Sequence, residues 1–150
     1  MANFTKSVDI DASIETVFGF HERDDALPLL TPPFPPVRVV KKSGGLAPGS
    51  RVELRVGFLF TWVALHTAYE RNRLFADEQI AGPFAQWIHR HEFEELGDGK
   101  TRLTDRVEFR LPGGSIVNAA LGWAVKIGLR QMFTHRHEVT KRFCEGPRVP

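Results

Sequence analysis

The chain has 150 residues and a formal charge of +2, with 20 Lys and Arg against 18 Asp and Glu. Its length fits a single domain, residues 1–150, and the near balance of charge argues against a nucleic-acid binder, whose basic residues cluster on one face. One cysteine excludes an internal disulfide and a multi-cysteine metal site. The aromatic set is unusual, because 12 Phe, three Trp and six His stand beside one Tyr.

Membrane and export signals are weak in this sequence. Its apolar runs are far shorter than the ~20 residues needed to span a bilayer, and residues 1–6 lack the apolar centre of a signal peptide. We therefore expect a cytoplasmic protein without stable membrane insertion. The basic residues near the C-terminus, such as Lys126 and Arg130, are expected to be solvated rather than to lie on anionic lipid. The sequence does not indicate an oligomeric state.

The first 36 residues predict one strand and two short helices. Alternating apolar and polar residues predict a strand over 2–10, after which Asp11 or Ser13 caps a helix that begins near Ile14. A second helix covers 26–30 and ends at a proline-rich segment, 31–36. We expect this segment to connect two elements of one domain. The alternative is a docking motif for a proline-binding module.

The middle of the chain is nearly all strand, and a long helix follows it. The alternating runs are 37–40, 52–56, 61–69, 74–80, 84–94 and 101–111. Ser115 is the expected N-cap of a helix that reaches about Phe143 and turns Leu121, Val125 and Leu129 towards the sheet. The order β-α-α-β-β-β-β-β-β-α predicts an α+β fold, a curved antiparallel sheet wrapped around a long C-terminal helix, with two short helices after the first strand. Because a helix cannot fill a concave sheet, we expect a cavity between them.

Several short strings, together with this order, carry a family resemblance. The strings are Phe20-His21-Glu22-Arg23, Leu30-Thr31-Pro32-Pro33, Asp77-Glu78-Gln79, Gly82-Pro83-Phe84, Trp87-x-His89-x-His91 and Phe133-x-x-Arg136-His137. The chain resembles the START-like (SRPBCC) helix-grip superfamily of polyketide cyclase/dehydrase-like and lipid-transfer domains, and within it an uncharacterised bacterial branch. That branch occurs alone or fused to an epimerase-like Rossmann oxidoreductase, whose Gly-x-Gly-x-x-Gly motif these residues lack. The resemblance implies a ligand-binding fold but no single reaction, since the superfamily contains both enzymes and carriers.

Strand periodicity predicts a buried His–Asp pair. In the last strand, the odd-numbered residues form an apolar face that only Asp105 interrupts. The tight turn before this strand pairs Phe93 with Leu103, and the same register places His91 opposite Asp105. A buried carboxylate needs a partner, so we predict an inward His91–Asp105 pair. The other opposed pairs are His89 with Val107 and Trp87 with Phe109.

The neighbouring strands and the long helix complete the predicted cavity. Trp62 and Phe75 favour one face of 61–69 and of 74–80, although either face of these strands suits burial. The expected ligand-binding residues are Trp62, His66, Asp77, Gln79, Trp87, His89 and Phe109, closed by Trp123, Ile127 and Met132 from the helix. His21 and Arg23 are expected at the mouth.

The sequence leaves three functional hypotheses open. A mostly apolar pocket with a few polar groups is typical of a small-molecule site, so the first hypothesis is a domain that binds a hydrophobic or aromatic ligand. The second is a cyclase, dehydratase or hydrolase in which His91 is a general base oriented by Asp105. The third is an adaptor without a ligand, which rests on the proline-rich segment.

Metal binding is a further alternative for the paired histidines. His89 and His91 lie two residues apart on one strand face and present two imidazoles, with Asp105 or His66 as a third ligand. The same positions fit a hydrogen-bonded pocket, and we expect no metal and no cofactor. On the helix, His135 and His137 point apart, so one is expected to face the sheet and the other the solvent.

Overall fold

A computed structural model describes residues 1–33 and 35–146; Phe34, in the proline-rich segment, and residues 147–150 lie outside it. The elements are β1 (Ala2–Ile10), α1 (Ile14–Glu22), α2 (Ala26–Leu30), β2 (Val37–Ser43), β3 (Arg51–Val56), β4 (Phe60–Glu70), β5 (Leu74–Ala81), β6 (Gln86–Gly97), β7 (Lys100–Arg110) and α3 (Gly114–Glu145). The predicted element order and fold class are confirmed.

The strands form one antiparallel sheet in the order β1-β7-β6-β5-β4-β3-β2. Strand β1 pairs with β7, so the first and last strands of the sequence are neighbours. Register shifts interrupt the β4–β5 pairing between Val63 and Ala64 and between His66 and Ala68. Such bulges bend a strand and increase its twist, which suits a sheet that curves around a helix.

Helix capping follows the sequence at α1 and departs from it at α3. The Ser13 side chain accepts a hydrogen bond from the Thr16 amide, so Ser13, one of the two predicted candidates, is the N-cap of α1. Ser115 does not cap α3, because the N-cap is Gly113 in the left-handed region, at φ 105°. The Asn118 side chain instead ties the start of α3 to the end of β7, since its amide accepts from the Leu111 N–H and donates to the Leu111 carbonyl.

The phase of α3 also differs from the predicted one. Its buried positions include Gly122, Leu129, Phe133 and His137, spaced to form one face towards the sheet. Leu121, predicted to face the sheet, is exposed. The reason is geometric, because successive helical residues are ~100° apart and a face through Gly122 turns Leu121 outwards.

Two apolar clusters anchor the helices to the sheet. The first is built around Phe109 and Phe133 and joins α3 to β6, β7 and β1. The second is built around Phe18 and Leu103 and joins α1 to the opposite half of the same strands. No helix within the described part of the chain is long and apolar enough to cross a membrane.

Candidate functional site

A cavity of about 630 Å³ lies between the sheet, α2 and α3. Its volume falls within the range of small-molecule pockets, ~300–1,000 Å³. One wall is aromatic, with the Trp62 and Trp87 rings edge to face at 5.0 Å and the Phe84 ring 4.9 Å from that of Trp87. Leu129 and Met132 of α3 form part of the opposite wall.

The polar end of the cavity is organised around Asp105. The predicted register of β6 and β7 is confirmed, with His91 opposite Asp105 and Phe93 opposite Leu103. His91 Nδ1 lies 2.9 Å from Asp105 Oδ1, and the ring of His89 donates from Nε2 to the same oxygen at 2.8 Å. The second oxygen, Oδ2, accepts from His137 Nε2 at 2.6 Å. The carboxylate is 3% exposed, so three imidazoles replace its water shell.

This arrangement separates the pKa values of neighbouring groups. Burial on its own would raise the pKa of Asp105, but His91, His137 and His89 hold it well below its ordinary value. Burial opposes protonation of His91, yet Asp105 and Asp77 raise its pKa overall. For His89, burial and the nearby His91 prevail and lower the pKa. Two adjacent imidazoles therefore differ in their preferred protonation state.

A second carboxylate, Asp77 of β5, faces the same two histidines from the cavity side. Its Oδ2 lies 3.9 Å from His89 Nδ1 and 3.7 Å from His91 Nε2, both too long for a hydrogen bond. His66 of β4 is opposite Asp77 in the strand register. The ligand atoms of Asp77, His89 and His91 all lie within 4.8 Å of one another, which makes these three the residues able to hold a metal ion.

Helix α3 adds Arg136 and His137 to the site, and sequence analysis did not assign either one to it. Arg136 lines the cavity, and its Nε is buried without a hydrogen-bond partner among the described residues. Burial lowers the pKa of this guanidinium, while Asp105 and Asp77 act against that shift. The helical spacing of Leu129, Phe133 and His137 was the available signal, because it places position 136 beside the buried face. The expectation that one of His135 and His137 faces the sheet is confirmed by the burial of His137.

Most of the predicted strand residues meet at the cavity. Its lining includes Trp62, His66, Asp77, Trp87, His89 and His91. Asp105 is buried beneath the two histidines. Gln79 does not face the cavity, because its amide donates to the Phe84 carbonyl and accepts from the Phe84 N–H, which braces the β5–β6 turn. Phe109 is fully buried in the core cluster behind Trp87 and so forms no part of the lining.

Two predicted helix residues are wrongly placed. Trp123 is 63% exposed and Ile127 49% exposed, and both lie on the outer side of α3. The physical reason is again the helix phase, since the residues that reach the cavity from α3 are Gly128, Leu129, Gln131, Met132 and Arg136. Met132 is therefore the one predicted helix residue that lines the cavity.

His21 and Arg23 both line the cavity, and His21 is buried in it rather than exposed. Arg23 is held by Asp25, whose two carboxylate oxygens each accept a hydrogen bond at 2.7 Å. His21 Nδ1 donates to the Val17 carbonyl at 2.8 Å. Burial, together with His91, lowers the pKa of His21 to about 4.

A second depression, of about 660 Å³, lies where the start of β1 meets the first turn of α3. Arg110 is the one side chain in its lining that carries a charge, and the other members include Leu111, Pro112 and Asn118. This surface therefore offers little chemistry beside the cavity under α3.

The sequence matches a known protein family. A family model described as polyketide cyclase / dehydrase and lipid transport matches residues 10–138. The chain belongs to this family. No protein of curated function matches its sequence.

Solved structures extend the family likeness. A nucleoside-diphosphate sugar epimerase from Corynebacterium glutamicum is 28% identical, with a TM-score of 0.71; the match covers 92% of this chain and 28% of the epimerase, so this chain spans little more than a quarter of that protein. The Zhui aromatase/cyclase from Streptomyces sp. R1128 is 12% identical with a TM-score of 0.72, and 93% and 91% of the two chains are covered. A START superfamily protein from Mycobacterium smegmatis is 17% identical with a TM-score of 0.68, and the coverage is 95% and 97%. The last two likenesses show a shared fold.

Proposed function

We propose that this protein is a single cytoplasmic domain that binds a hydrophobic or aromatic small molecule in the cavity under α3. The observation that carries the proposal is a mostly apolar cavity of about 630 Å³ whose lining also contains Asp77, His91 and Arg136. An apolar ligand body gains ~25 cal/mol for each Å² removed from water, while a few polar contacts fix its orientation. Nucleic acid is not expected as a partner.

The polar end specifies the functional groups of the ligand. Arg136 has an unused buried Nε–H within the described structure, which favours a carbonyl, carboxylate or other oxygen acceptor. Asp77 lies in the same lining, and its carboxylate is an acceptor suited to a ligand hydroxyl. An aromatic or alicyclic compound that carries both a hydroxyl and a carbonyl group satisfies the two residues together.

The family supports a ligand but leaves open what happens to it. Its description joins polyketide cyclases and dehydrases with lipid transport, and one structural neighbour is described as an aromatase/cyclase. Fold alone does not assign a reaction. Binding is therefore the primary proposal, and catalysis of the cyclase, dehydratase or hydrolase type is the alternative.

The contrast between His89 and His91 favours that alternative. An acid and a base are obtained when neighbouring environments push two pKa values apart. His91, with its raised pKa, is suited to donate a proton, and His89, with its lowered pKa, is suited to accept one. In this alternative His89 replaces His91, the residue predicted from sequence, as the general base. Asp105 orients both rings.

A cavity-filling variant tests the binding proposal. The fluorescent probe 1-anilinonaphthalene-8-sulfonate combines an aromatic body with an anionic group. Gly128 lines the cavity and a Cβ added there meets no atom within 4 Å, so Gly128→Leu projects a side chain into the open space. We expect one probe site in the wild type, at least tenfold weaker binding in Gly128→Leu and in Arg136→Gln, and unchanged binding in the control Ala120→Leu, on the exposed side of α3.

The readouts are fluorescence titration, circular dichroism to confirm the fold of each variant, and native mass spectrometry of the purified wild type for a co-purified compound. Equal probe affinity in the wild type and in a folded Gly128→Leu variant would refute the proposed site. For the enzymatic alternative, loss of turnover with retained binding in His89→Gln is the supporting result.

A further inference from the structure

In their neutral forms, the two histidines of β6 each present an unprotonated ring nitrogen to the cavity. His89 donates from Nε2 to Asp105, which leaves its Nδ1 with a lone pair. His91 has Nδ1 2.9 Å from the same carboxylate, and a proton must lie between these atoms because two lone pairs would repel. Its Nε2 is therefore the free nitrogen when the ring is neutral. A carboxylate behind an imidazole is the usual device that orients a metal-binding histidine.

Both free nitrogens converge on the carboxylate of Asp77. The distances from Asp77 Oδ2 are 3.9 Å to His89 Nδ1 and 3.7 Å to His91 Nε2. In a tetrahedral zinc site, bonds of ~2.0–2.1 Å place neighbouring ligand atoms about 3.3 Å apart. Both histidine nitrogens are thus too far from Asp77 Oδ2 for a hydrogen bond and about half an ångström from the spacing of neighbouring ligands in a filled metal shell.

His66 supplies an independent sign of a missing partner. Its side chain is 7% exposed, and its Nδ1 is buried with no hydrogen-bond partner in the described structure. His66 lines the same cavity and is opposite Asp77 across the β4–β5 pair. A buried nitrogen left without a partner costs ~1–3 kcal/mol, which indicates that this end of the cavity holds a further polar group or ion when occupied.

The charges at this end of the cavity also fit a dication. Asp77 and Asp105 bring two carboxylates into a largely buried site, at 15% and 4% side-chain exposure. A divalent ion bound to neutral imidazoles balances these two charges. The positively charged side chains of the lining are Arg23, Lys42 and Arg136, of which Arg136 lies on the helix side.

We propose that Asp77, His89 and His91 bind a divalent first-row transition metal ion of the Zn²⁺ class, with Asp105 orienting the two histidines of β6. Two imidazoles and a carboxylate match the nitrogen and oxygen ligand sets of zinc and leave a fourth position open towards the cavity. This revises the sequence-based expectation of no metal, because the carboxylate available to the ion is Asp77 whereas Asp105 is occupied behind the rings. The inference rests on the proposed function only where a small molecule would reach the metal. Binding of the ion itself needs no small molecule in the cavity.

Cobalt is the diagnostic probe for this site. Metal-stripped, tag-free protein is titrated with Co²⁺, followed by visible absorption, and with Zn²⁺, followed by calorimetry. We expect one equivalent to bind, with the intense absorption of low-coordinate cobalt. Affinity is expected to fall at least a hundredfold in Asp77→Asn and in His89→Gln, and ~10–100-fold in Asp105→Asn, which lies outside the coordination shell.

The controls separate the metal site from the fold and from ligand binding. His135→Gln, on the far side of His137 in helix α3, is expected to bind as the wild type does. Circular dichroism identifies any variant that fails to fold, and Asp77→Asn, which keeps the side-chain volume, is the variant least affected. No cobalt spectrum at one equivalent, or equal affinity in the wild type and a folded Asp77→Asn, would overturn the proposal. Metal binding without probe uptake contradicts the proposed ligand function alone.

Discussion

His137 of α3 donates to Asp105 of β7 over 2.6 Å, and this bond ties the long helix to the sheet at the polar end of the cavity. The same carboxylate accepts a hydrogen bond from His89 of β6, so β6, β7 and α3 are joined through one anion. A buried charge shared in this way fixes the relative position of the elements that contact it, because each partner loses its bond if it moves. The hydrogen bond from His137 to Asp105 therefore fixes α3 over the cavity, whose walls are mostly apolar.

Removal of the Asp105 charge tests this role. Asp105→Asn keeps the size of the side chain but leaves three buried imidazoles without their anion, and we expect a loss of about 3–5 kcal/mol in the free energy of unfolding. Asp9→Asn is the matched control on the adjacent strand, because Asp9 pairs with Arg102 at the surface with 53% side-chain exposure. Its cost should be at most ~1 kcal/mol. Urea denaturation measures both, and equal effects would contradict the central role of Asp105.

The stability of the protein should rise with pH between about 4 and 6.5. The pKa of His21 is lowered from 6.5 to about 4, so the unfolded chain binds a proton in this window that the folded chain does not. The contribution of His21 reaches at most ~1.4 kcal/mol per pH unit and about 3 kcal/mol in all. Above pH 6.5 neither state binds the proton, so this stability is fully present and no longer depends on pH.

The variant His21→Asn isolates this effect. The Asn side chain keeps an N–H that can donate to the Val17 carbonyl, as His21 Nδ1 does, but it does not titrate. We expect a shallower dependence of the free energy of unfolding on pH between 4 and 6.5, measured by urea denaturation at half-unit intervals. An unchanged slope in a folded variant would show that His21 is not the group responsible.

The hairpin of β6 and β7 was predictable from sequence, and its position inside the fold was predictable with it. A tight turn and an apolar alternation of period two fix the register, so the sequence pattern alone pairs Asp105 with His91, as the structure does. The side chain of Gln79 was misplaced because a strand pattern fixes the face but not the conformation of a long amide. Its bonds to the Phe84 backbone arise from a turn whose geometry the pattern does not specify.

The helix face was not predictable in the same way. Apolar residues occur all around α3, with Ile116, Leu121, Trp123 and Ile127 exposed, so no single stripe stands out. The observed phase is fixed by long-range contacts, among them the bond from His137 to Asp105. Contacts between residues 32 positions apart in sequence are invisible to periodicity, which explains the error at Trp123 and Ile127.

The exposed Trp123 gives a direct check of the helix phase. Trp123→Ala should change the free energy of unfolding by less than about 0.5 kcal/mol, as is typical of surface positions. Trp87→Ala removes a ring that is 6% exposed and packs on Trp62, and should cost about 3–5 kcal/mol. Acrylamide should quench the fluorescence of Trp123 far more than that of Trp87 in variants that keep a single tryptophan. Comparable quenching of the two would place Trp123 in the cavity after all.

Glycine substitutions in the helices test the open space beside the cavity. A Cβ added at Gly128 of α3, or at Gly19 of α1, meets no atom within 4 Å. Alanine restricts the unfolded chain more than glycine does, so Gly128→Ala and Gly19→Ala should each stabilise the protein by about 0.5–1 kcal/mol in chemical denaturation. Gly113→Ala is the opposite case, because its φ is +105° and the new Cβ would lie 2.7 Å from Val117 Cγ2. That variant should lose stability, and a loss at Gly128 as well would mean that the space beneath α3 is already filled.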